Sequence, residues 1–445
     1  MDLNRKTGSA GNLLSRFLRF RIGVPVISLR LGRTDILVVI ALAAAACLAY
    51  FAAISLWGEG AIRLSISGRW FQSDGWRVFD DMTNFDANHS RDRVHPLFSL
   101  FAIGATTLIR AIVPVDPEGA IRIFNGIAFM TWCGLLYATM RIVGCKIVDA
   151  VLLTILAAVS AGSLFWFVLP ETYVPGTVSI LLCLFVVALA TKRDWPLVLA
   201  AAGSLSFTIT NWIAGLSIIA ASRTVGRGII LAGLSLGLVL GGWTVGKIIY
   251  THPSTFFLLP AVVQDEADYI NNKDAGGIGT KLAGTLVSPI VVPDLQRTHE
   301  QPTGQLLSFQ ATAITSWASG NWLFLAAAGL WLLLLAASVP ALLSRRDRLA
   351  LALGMMLAGQ LALHIIYGDE TFLYALHFIP LLIMILAVAA TTARARIMRP
   401  FVILLIMLAG VNNGMRLDEA TREPVTGSDP RLERLGPLAS SVALD

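Results

Sequence analysis

The chain has 445 residues, 56% of them hydrophobic and only 14% charged, with a positive mean hydropathy and a net charge of +6. A water-soluble domain carries about 45–50% apolar and about 25% charged residues, so the composition excludes an ordinary soluble fold. The basic residues are spread over many short connections, which argues against a nucleic-acid-binding face, and Cys47, Cys133, Cys145 and Cys183 lie in or beside apolar runs, as packing residues do.

Taken in chain order, residues 1–34 form a basic, polar arm. The first apolar run, Asp35–Trp57, is long enough to remain as an anchor, and no cleavable signal peptide is evident. A weaker run covers 97–115. Others cover roughly 120–140, 147–168, 176–191, 196–222, 228–250, 320–343, 349–367, 372–392 and 398–414. Repeated apolar stretches of about 20 residues predict an all-α polytopic membrane protein, because a helix satisfies its own backbone in lipid. A transmembrane barrel would need alternating segments of about 10 residues, and the sequence has none.

The cations set the orientation. They occupy the arm (Arg5 to Arg33) and the connections Arg141–Lys146, Lys192–Arg193, Arg223–Arg227, Arg345–Arg348 and Arg394–Arg399. Positive-inside logic places all of these in the cytoplasm. Run 97–115 then has to lie along the outer surface, or dip in and return; its Arg110 and its Pro-rich end suit an interfacial helix. Run 196–222 has to cross twice, as two short helices meeting near Asn211 in the polar patch Thr208–Trp212. The expected total is about 11 crossings with the C-terminus outside. The expected units are the arm 1–34, a membrane domain 35–415 with outer loops 58–119, 169–176, 251–317 and 367–371, and a loosely ordered polar tail 416–445.

The outer face receives most of the ionisable chemistry. The stretch Phe71–Phe98, FQSDGWRVFDDMTNFDANHSRDRVHPLF, gathers Asp74, Asp80, Asp81, Arg77, Arg91, Arg93 and His95 with Trp70, Phe71, Trp76 and Phe79. Acids converging with aromatic rings are what a sugar site needs, although a solvated loop of local ion pairs would give the same composition. Glu171 in LPETYVPG and Asp369–Glu370 in YGDETFLYALHF arrive on the same face at helix ends. There Glu171 is also favoured simply by a helix N-terminus, and Asp369 and Glu370 by capping. Glu370, Tyr374 and His377 fall near one helical face. Tyr173, Tyr367 and Tyr374 also suit an interfacial aromatic belt, and His364 suits a packed position. Gly-rich DAGGIGT (Asp274–Thr280) lacks the strand–helix context of a phosphate cradle and reads as a flexible loop. No Walker A, GxGxxG, zinc spacing or nucleophile elbow is present.

A first helix, an acidic outer loop and then His95-Pro96-Leu97 opening a surface helix resembles the GT-C superfamily of membrane glycosyltransferases. It is most similar to protein O-mannosyltransferases and to the aminoarabinose transferases that modify lipid A. Those have an Asp-Glu pair early in the first outer loop; DGWR (Asp74–Arg77) is similar, with Gly75 in place of the glutamate, and Asp80 and Asp81 stay in competition for the catalytic role. Glu171 matches the acidic residue of the second outer loop. The resemblance implies a GT-C-like bundle with juxtamembrane helices in the first outer loop. It implies transfer of a sugar from a polyprenyl-phosphate donor to a hydroxyl acceptor, with inversion. One of Asp74, Asp80 and Asp81 would be the base, with Glu171 beside it, and Arg91, Arg93 and Lys281 would be the cations on the leaving phosphate. Arg77, His95, Tyr173, Glu370, Tyr374 and His377 would complete substrate binding. No cofactor is certain; Asp, Glu and His could hold Mg²⁺ or Mn²⁺. The partners would be the donor, a glycan, lipid or protein acceptor, and the bilayer, and the location a bacterial inner membrane with the site on the periplasmic or extracellular face. The rivals are a polysaccharide polymerase or ligase, a lipid-linked glycan transporter, and a non-catalytic scaffold. A transporter would carry mid-span charges and paired broken helices, which are sparse here.

Overall fold

A computed structural model describes residues 31–257, 270, 276–299, 306–311, 320–368, 370–424 and 432. Most of the arm, Asp369, parts of the long outer loop and most of the tail lie outside the described residues.

Helix α1 (Arg33–Ala53) passes through a π turn at Ile54–Gly58 into α2 (Glu59–Ile66). Then follow α3 (Gly75–Thr83), α4 (Phe98–Ile112), α5 (Pro117–Val143), α6 (Ile147–Ala158), α7 (Ala161–Trp166) and α8 (Tyr173–Ala188). Next come α9 (Trp195–Phe207), α10 (Trp212–Ser222), α11 (Val225–Ile249) and α12 (Ile278–Leu286). The chain closes with β1 (Gln296–His299), β2 (Leu306–Gln310), α13 (Trp322–Ser344), α14 (Arg348–Ile366), α15 (Ala375–Ala390) and α16 (Ala395–Thr421). Among the described residues, 7 helices are long and apolar enough to cross a membrane, counting α1–α2 as one and the turn before α15 as part of it. Shorter apolar helices are α4, α6, α8, α9 and α10.

The boundaries follow local chemistry. Asp116 caps α5 by accepting the Gly119 N–H at 2.8 Å, with Pro117 in the first turn. Asn321 and Asp347 cap α13 and α14 in the same way, each at 2.9 Å. The break expected near Asn211 is a turn at Thr208–Asn211 that folds α9 and α10 back on each other. Their contact is so close that a Cβ on Gly215 would lie 2.5 Å from Ala201 Cα, so only glycine fits.

The uniformly apolar sequence of α15 makes it the central helix, and all of its residues are buried. A helix that is hydrophobic all round has no face to give to water. Helices α5, α6, α7, α8, α13 and α14 pack against it. Helix α11 is peripheral: Ile229, Ile230, Leu234, Leu238 and Ile248 are exposed on the outside of the bundle.

Charged groups divide between two ends. One end carries the Arg-rich connections: Arg141 pairs with Asp35 at 2.6 Å, Arg399 with Asp149 at 2.6 Å, and Arg223 with Asp194 at 2.6 Å. At the other end Trp57 Nε1 donates to Asp418 at 3.2 Å, and Arg297 pairs with Glu419 at 2.9 Å and Glu423 at 3.0 Å. One expectation is corrected there. The segment from Arg416 to Thr421 is the last stretch of α16, not loose tail, because Arg416 pairs with Asp294 at 2.5 Å and Arg297 holds the acids that follow. The all-α class holds apart from one antiparallel ribbon of β1 and β2, with Arg297 opposite Phe309, tied to Arg69 O by the Phe309 N–H at 3.1 Å.

Candidate functional site

The site grows from a kink after α2. Phe71 and Gln72 have φ of 47° and 58°, left-handed conformations that cost a non-glycine residue about 1 kcal/mol or more each. Packing holds them there. The Phe71 ring is fully buried, 5.0 Å from Phe372, 5.8 Å from Phe165 and 6.1 Å from Trp166. Trp70, Phe71 and Phe79 are therefore core, correcting their reading as a sugar platform; Trp76 is half-buried, with the Arg77 guanidinium 5.2 Å from its ring.

The kink delivers Asp74 to the start of α3 with its side chain turned away from the helix. One oxygen meets Arg91 Nη1 at 2.6 Å and the other meets Arg77 Nη1 at 3.3 Å, and 31% of the carboxylate side chain remains exposed. Gly75 stands where the resembled family has glutamate. A Cβ there would lie 2.0 Å from Ser65 Oγ and 2.8 Å from the Ser65 backbone, so no second carboxylate can enter at this position.

Arg91 sits on the 3₁₀ turn Ser90–Arg93, entered through His89 at φ 45°. Its Nη2 donates to His95 Nε2 at 2.9 Å. His95 Nδ1–H donates to the Phe207 carbonyl at 2.5 Å, which leaves Nε2 as the acceptor. The Thr172 hydroxyl approaches the same Nε2 at 3.3 Å. Thus His95, 2% exposed, joins the first outer loop, the α9–α10 turn and the second outer loop. Burial, assisted by Arg91, pulls its pKa well below the ordinary value, so it is neutral. His95 thus orients Arg91. Burial opposes the charge on Arg91, but Asp74 foremost, with Glu171 and Asp81, holds its pKa above the usual value.

Glu171 is 2% exposed and accepts the Thr172 N–H at 2.8 Å. Burial pushes its pKa up to about 7, with the charge of Arg91 pulling the other way. Asp81, in contrast, is 1% exposed behind the arginine turn, 3.5 Å from His89 Nδ1 and 3.4 Å from the Arg91 backbone N–H. It faces Asp92, whose pKa burial and Asp81 together raise to about 7 and whose Oδ1 accepts from Ser99 N at 3.1 Å and Oγ at 2.8 Å. The structure corrects Asp81 to a supporting carboxylate. Asp80 is half-buried on α3, and Arg93 is half-buried at the end of the 3₁₀ turn.

Two further candidates are relocated. Lys281, 3% exposed on α12, donates to the Ile365 carbonyl at 3.2 Å, where it neutralises the C-terminal end of α14; it makes no hydrogen bond or ion pair with Asp74 or Glu171. Glu370 accepts the Phe372 N–H at 2.9 Å and the Ala311 N–H at 2.8 Å, so its carboxylate fastens the outer loop to the turn Thr371–Tyr374. The glycine stretch ends in order: Gly277 is the N-cap of α12. Tyr173, Tyr374 and His377 do meet, with the Tyr173 ring 5.5 Å from Tyr374 and 5.2 Å from His377.

Thr172, Thr208 and the Phe207 carbonyl were missed by the sequence reading. The polar patch in an apolar run signalled a break, and it also supplies the partners of His95. Among the described residues no group of three or more His, Cys, Asp or Glu could hold a metal ion. The donor set at Asp74 does not suit a divalent cation, since both oxygens face guanidinium groups. Comparison of the chain with protein-family models, with curated proteins and with solved structures finds no match.

Proposed function

We propose that this chain is a GT-C-type membrane glycosyltransferase that moves a sugar from a polyprenyl-phosphate donor to a hydroxyl acceptor, with inversion. One observation carries the reading. An exposed carboxylate edge at Asp74 lies between Arg91 and Arg77, beside buried Glu171, at the end of the bundle opposite the Arg-rich connections. In this reading α6, α8, α9 and α10 cross as short helices beside the 7 long ones, about 11 in all, with α4 along the outer surface. The site then lies on the non-cytoplasmic face, in a bacterial inner membrane the periplasmic one. Helices of 13 and 11 residues, α9 and α10, rise only about 20 and 17 Å, short of a core about 30 Å thick. Their turn, which holds His95, then ends about 10 Å short of the far edge of that core, within the bundle.

The chemistry follows from the charges. The donor phosphate competes for the Arg91 and Arg77 guanidinium groups and so releases Asp74. Asp74 then takes the proton of the acceptor hydroxyl as its oxygen attacks the anomeric carbon. The bond from that carbon to the phosphate oxygen breaks, its electron pair leaves with the polyprenyl phosphate, and the arginines stabilise the added charge. His95 and Thr172 keep Arg91 in register.

Separate Asp74→Asn, Asp80→Asn and Asp81→Asn variants, read by envelope-glycan mass analysis and by gel filtration of the purified protein, test this. Asp74→Asn should remove one glycan unit while folding intact, Asp80→Asn should keep it, and Asp81→Asn should act only through folding. An unchanged glycan profile in Asp74→Asn would refute the proposal.

A further inference from the structure

Polar side chains continue behind the charged cluster into the bundle. Tyr173 leads inward, its ring 6.2 Å from that of His95 on one side and 5.2 Å from that of His377 on the other. Asn211 Nδ2 lies 3.3 Å from His377 Nε2, and Gln360 Nε2 donates to Asn211 Oδ1 at 3.4 Å. Tyr374, 5.5 Å from Tyr173, stacks on His364 at 4.1 Å. The six side chains come from α8, α14, α15, the turn before α15 and the α9–α10 turn, so the seam is a product of tertiary packing alone.

These groups are buried without being satisfied. His364, His377 and Gln360 are each 1% exposed. Yet Nδ1 of His377 and Oε1 of Gln360 make no hydrogen bond, and His364 has no well-formed one, its ring lying only near the Tyr367 backbone. Leu, Ile or Met at these positions would pack helices that are otherwise apolar without leaving polar atoms unpaired. The seam therefore has a use beyond packing.

The open groups define what would satisfy them. His364 offers one donor and one acceptor, His377, whose Nε2 accepts from Asn211, offers its Nδ1 donor, and Gln360 Oε1 only accepts. None of the six is a carboxylate or a permanent cation, and the nearby Lys281 is committed to the Ile365 carbonyl. A metal ion would find no anionic ligand among the six, and the nearest cation for a phosphate, Lys281, points its ammonium at that carbonyl. Hydroxyl groups, which donate and accept, match the set, and Tyr173 and Tyr374 supply rings for the apolar face of a pyranose or furanose. We propose that this seam is a subsite for an uncharged sugar ring, reached from the Asp74–Arg91 cluster past Tyr173, with half-buried Tyr374 moving aside on loading. The inference rests on the transferase reading for which saccharide is bound, not for the existence of the subsite.

The full-length chain in detergent, probed with methyl mannoside, methyl glucoside and methyl galactoside by saturation-transfer NMR, tests it, with inorganic phosphate as the charged control. The wild-type protein should bind at least one glycoside in the millimolar range. Gln360→Leu and His364→Phe delete the unpaired atoms while keeping bulk. Each should match or exceed the wild-type melting temperature and bind the glycoside about tenfold or more weakly. Absence of glycoside binding in the wild type, or wild-type binding in both variants, overturns the subsite. Phosphate binding that disappears in the same variants overturns it in favour of an anion site. Asp74→Asn should bind the glycoside like the wild type. If it does so and the envelope glycans are also unchanged, the transferase reading fails while the subsite stands.

Discussion

The two ends of the bundle use the same residue types to opposite effect. At the Arg-rich end the pairs are closed. Asp149 receives Arg399 at 2.6 and 3.0 Å through two oxygens, Asp35 receives Arg141 at 2.6 Å and Tyr137 at 2.9 Å, and Asp194 is shared by Arg223 and Arg227. At the other end Arg297 and Arg416 also make closed pairs, but in the Asp74 cluster the charges are left open to exchange. Asp74 is split between Arg77 and Arg91, Arg91 also holds His95, and Glu171 and Asp92 are pushed up to about 7 by burial. Of the four non-glycine residues with positive φ among the described residues, Phe71, Gln72 and His89 lie beside this cluster. Closed pairs hold helix ends in place. Open, strained and partly protonated clusters are where chemistry is carried out.

The comparison can be broken first at Arg91. Under the proposed transferase reading, Arg91→Ala should lower sugar transfer about a hundredfold or more, since it would remove both the clamp on Asp74 and a cation for the leaving phosphate. Arg91→Lys should recover little, because an ammonium cannot reach Asp74 and His95 together. Transfer per folded molecule, measured on purified protein, decides this. Gly75→Glu is next: it writes the family's Asp-Glu pair into the chain but should cost about 3 kcal/mol by driving a side chain into Ser65, read as lost yield and a lower melting temperature.

At the opposite end Asp149→Asn should lower the melting temperature only slightly, as Arg399 is partly exposed, and should leave transfer per folded molecule unchanged. A transfer defect there would erase the contrast between the ends. The smallest effect is on pH dependence. Burial keeps the proton on Glu171 up to about 7, whereas the unfolded chain releases it near the ordinary 4.5. Between these values the folded state binds more protons, so stability falls as pH rises through the window. Glu171→Gln should flatten that fall in a melting-temperature profile. Part of the slope should persist, because Asp92 is shifted in the same direction.

Much of the architecture was legible in the residues. Uniform apolarity marked α15, Thr208–Asn211 marked the broken run, and the arginines marked one end of the bundle. The site was legible as a region and not as an arrangement. Asp74, Asp80 and Asp81 look equivalent in FQSDGWRVFDD, and nothing local separates an exposed carboxylate edge from one buried against His89. Lys281 and Glu370 read as outer-face chemistry because sequence reports charge but not the carbonyl or N–H that consumes it.

What the sequence determined on its own was the solvent for this protein and the elements that survive in it. Hydropathy and helix length are properties of short stretches and act before any helix meets another. The partners of Asp74, the neutral form of His95, the core role of Phe71 and the seam from Tyr173 to His364 were decided only by tertiary packing. Each depends on groups far apart in the chain, and burial fixes charge state and hydrogen bonding only once those groups are brought together.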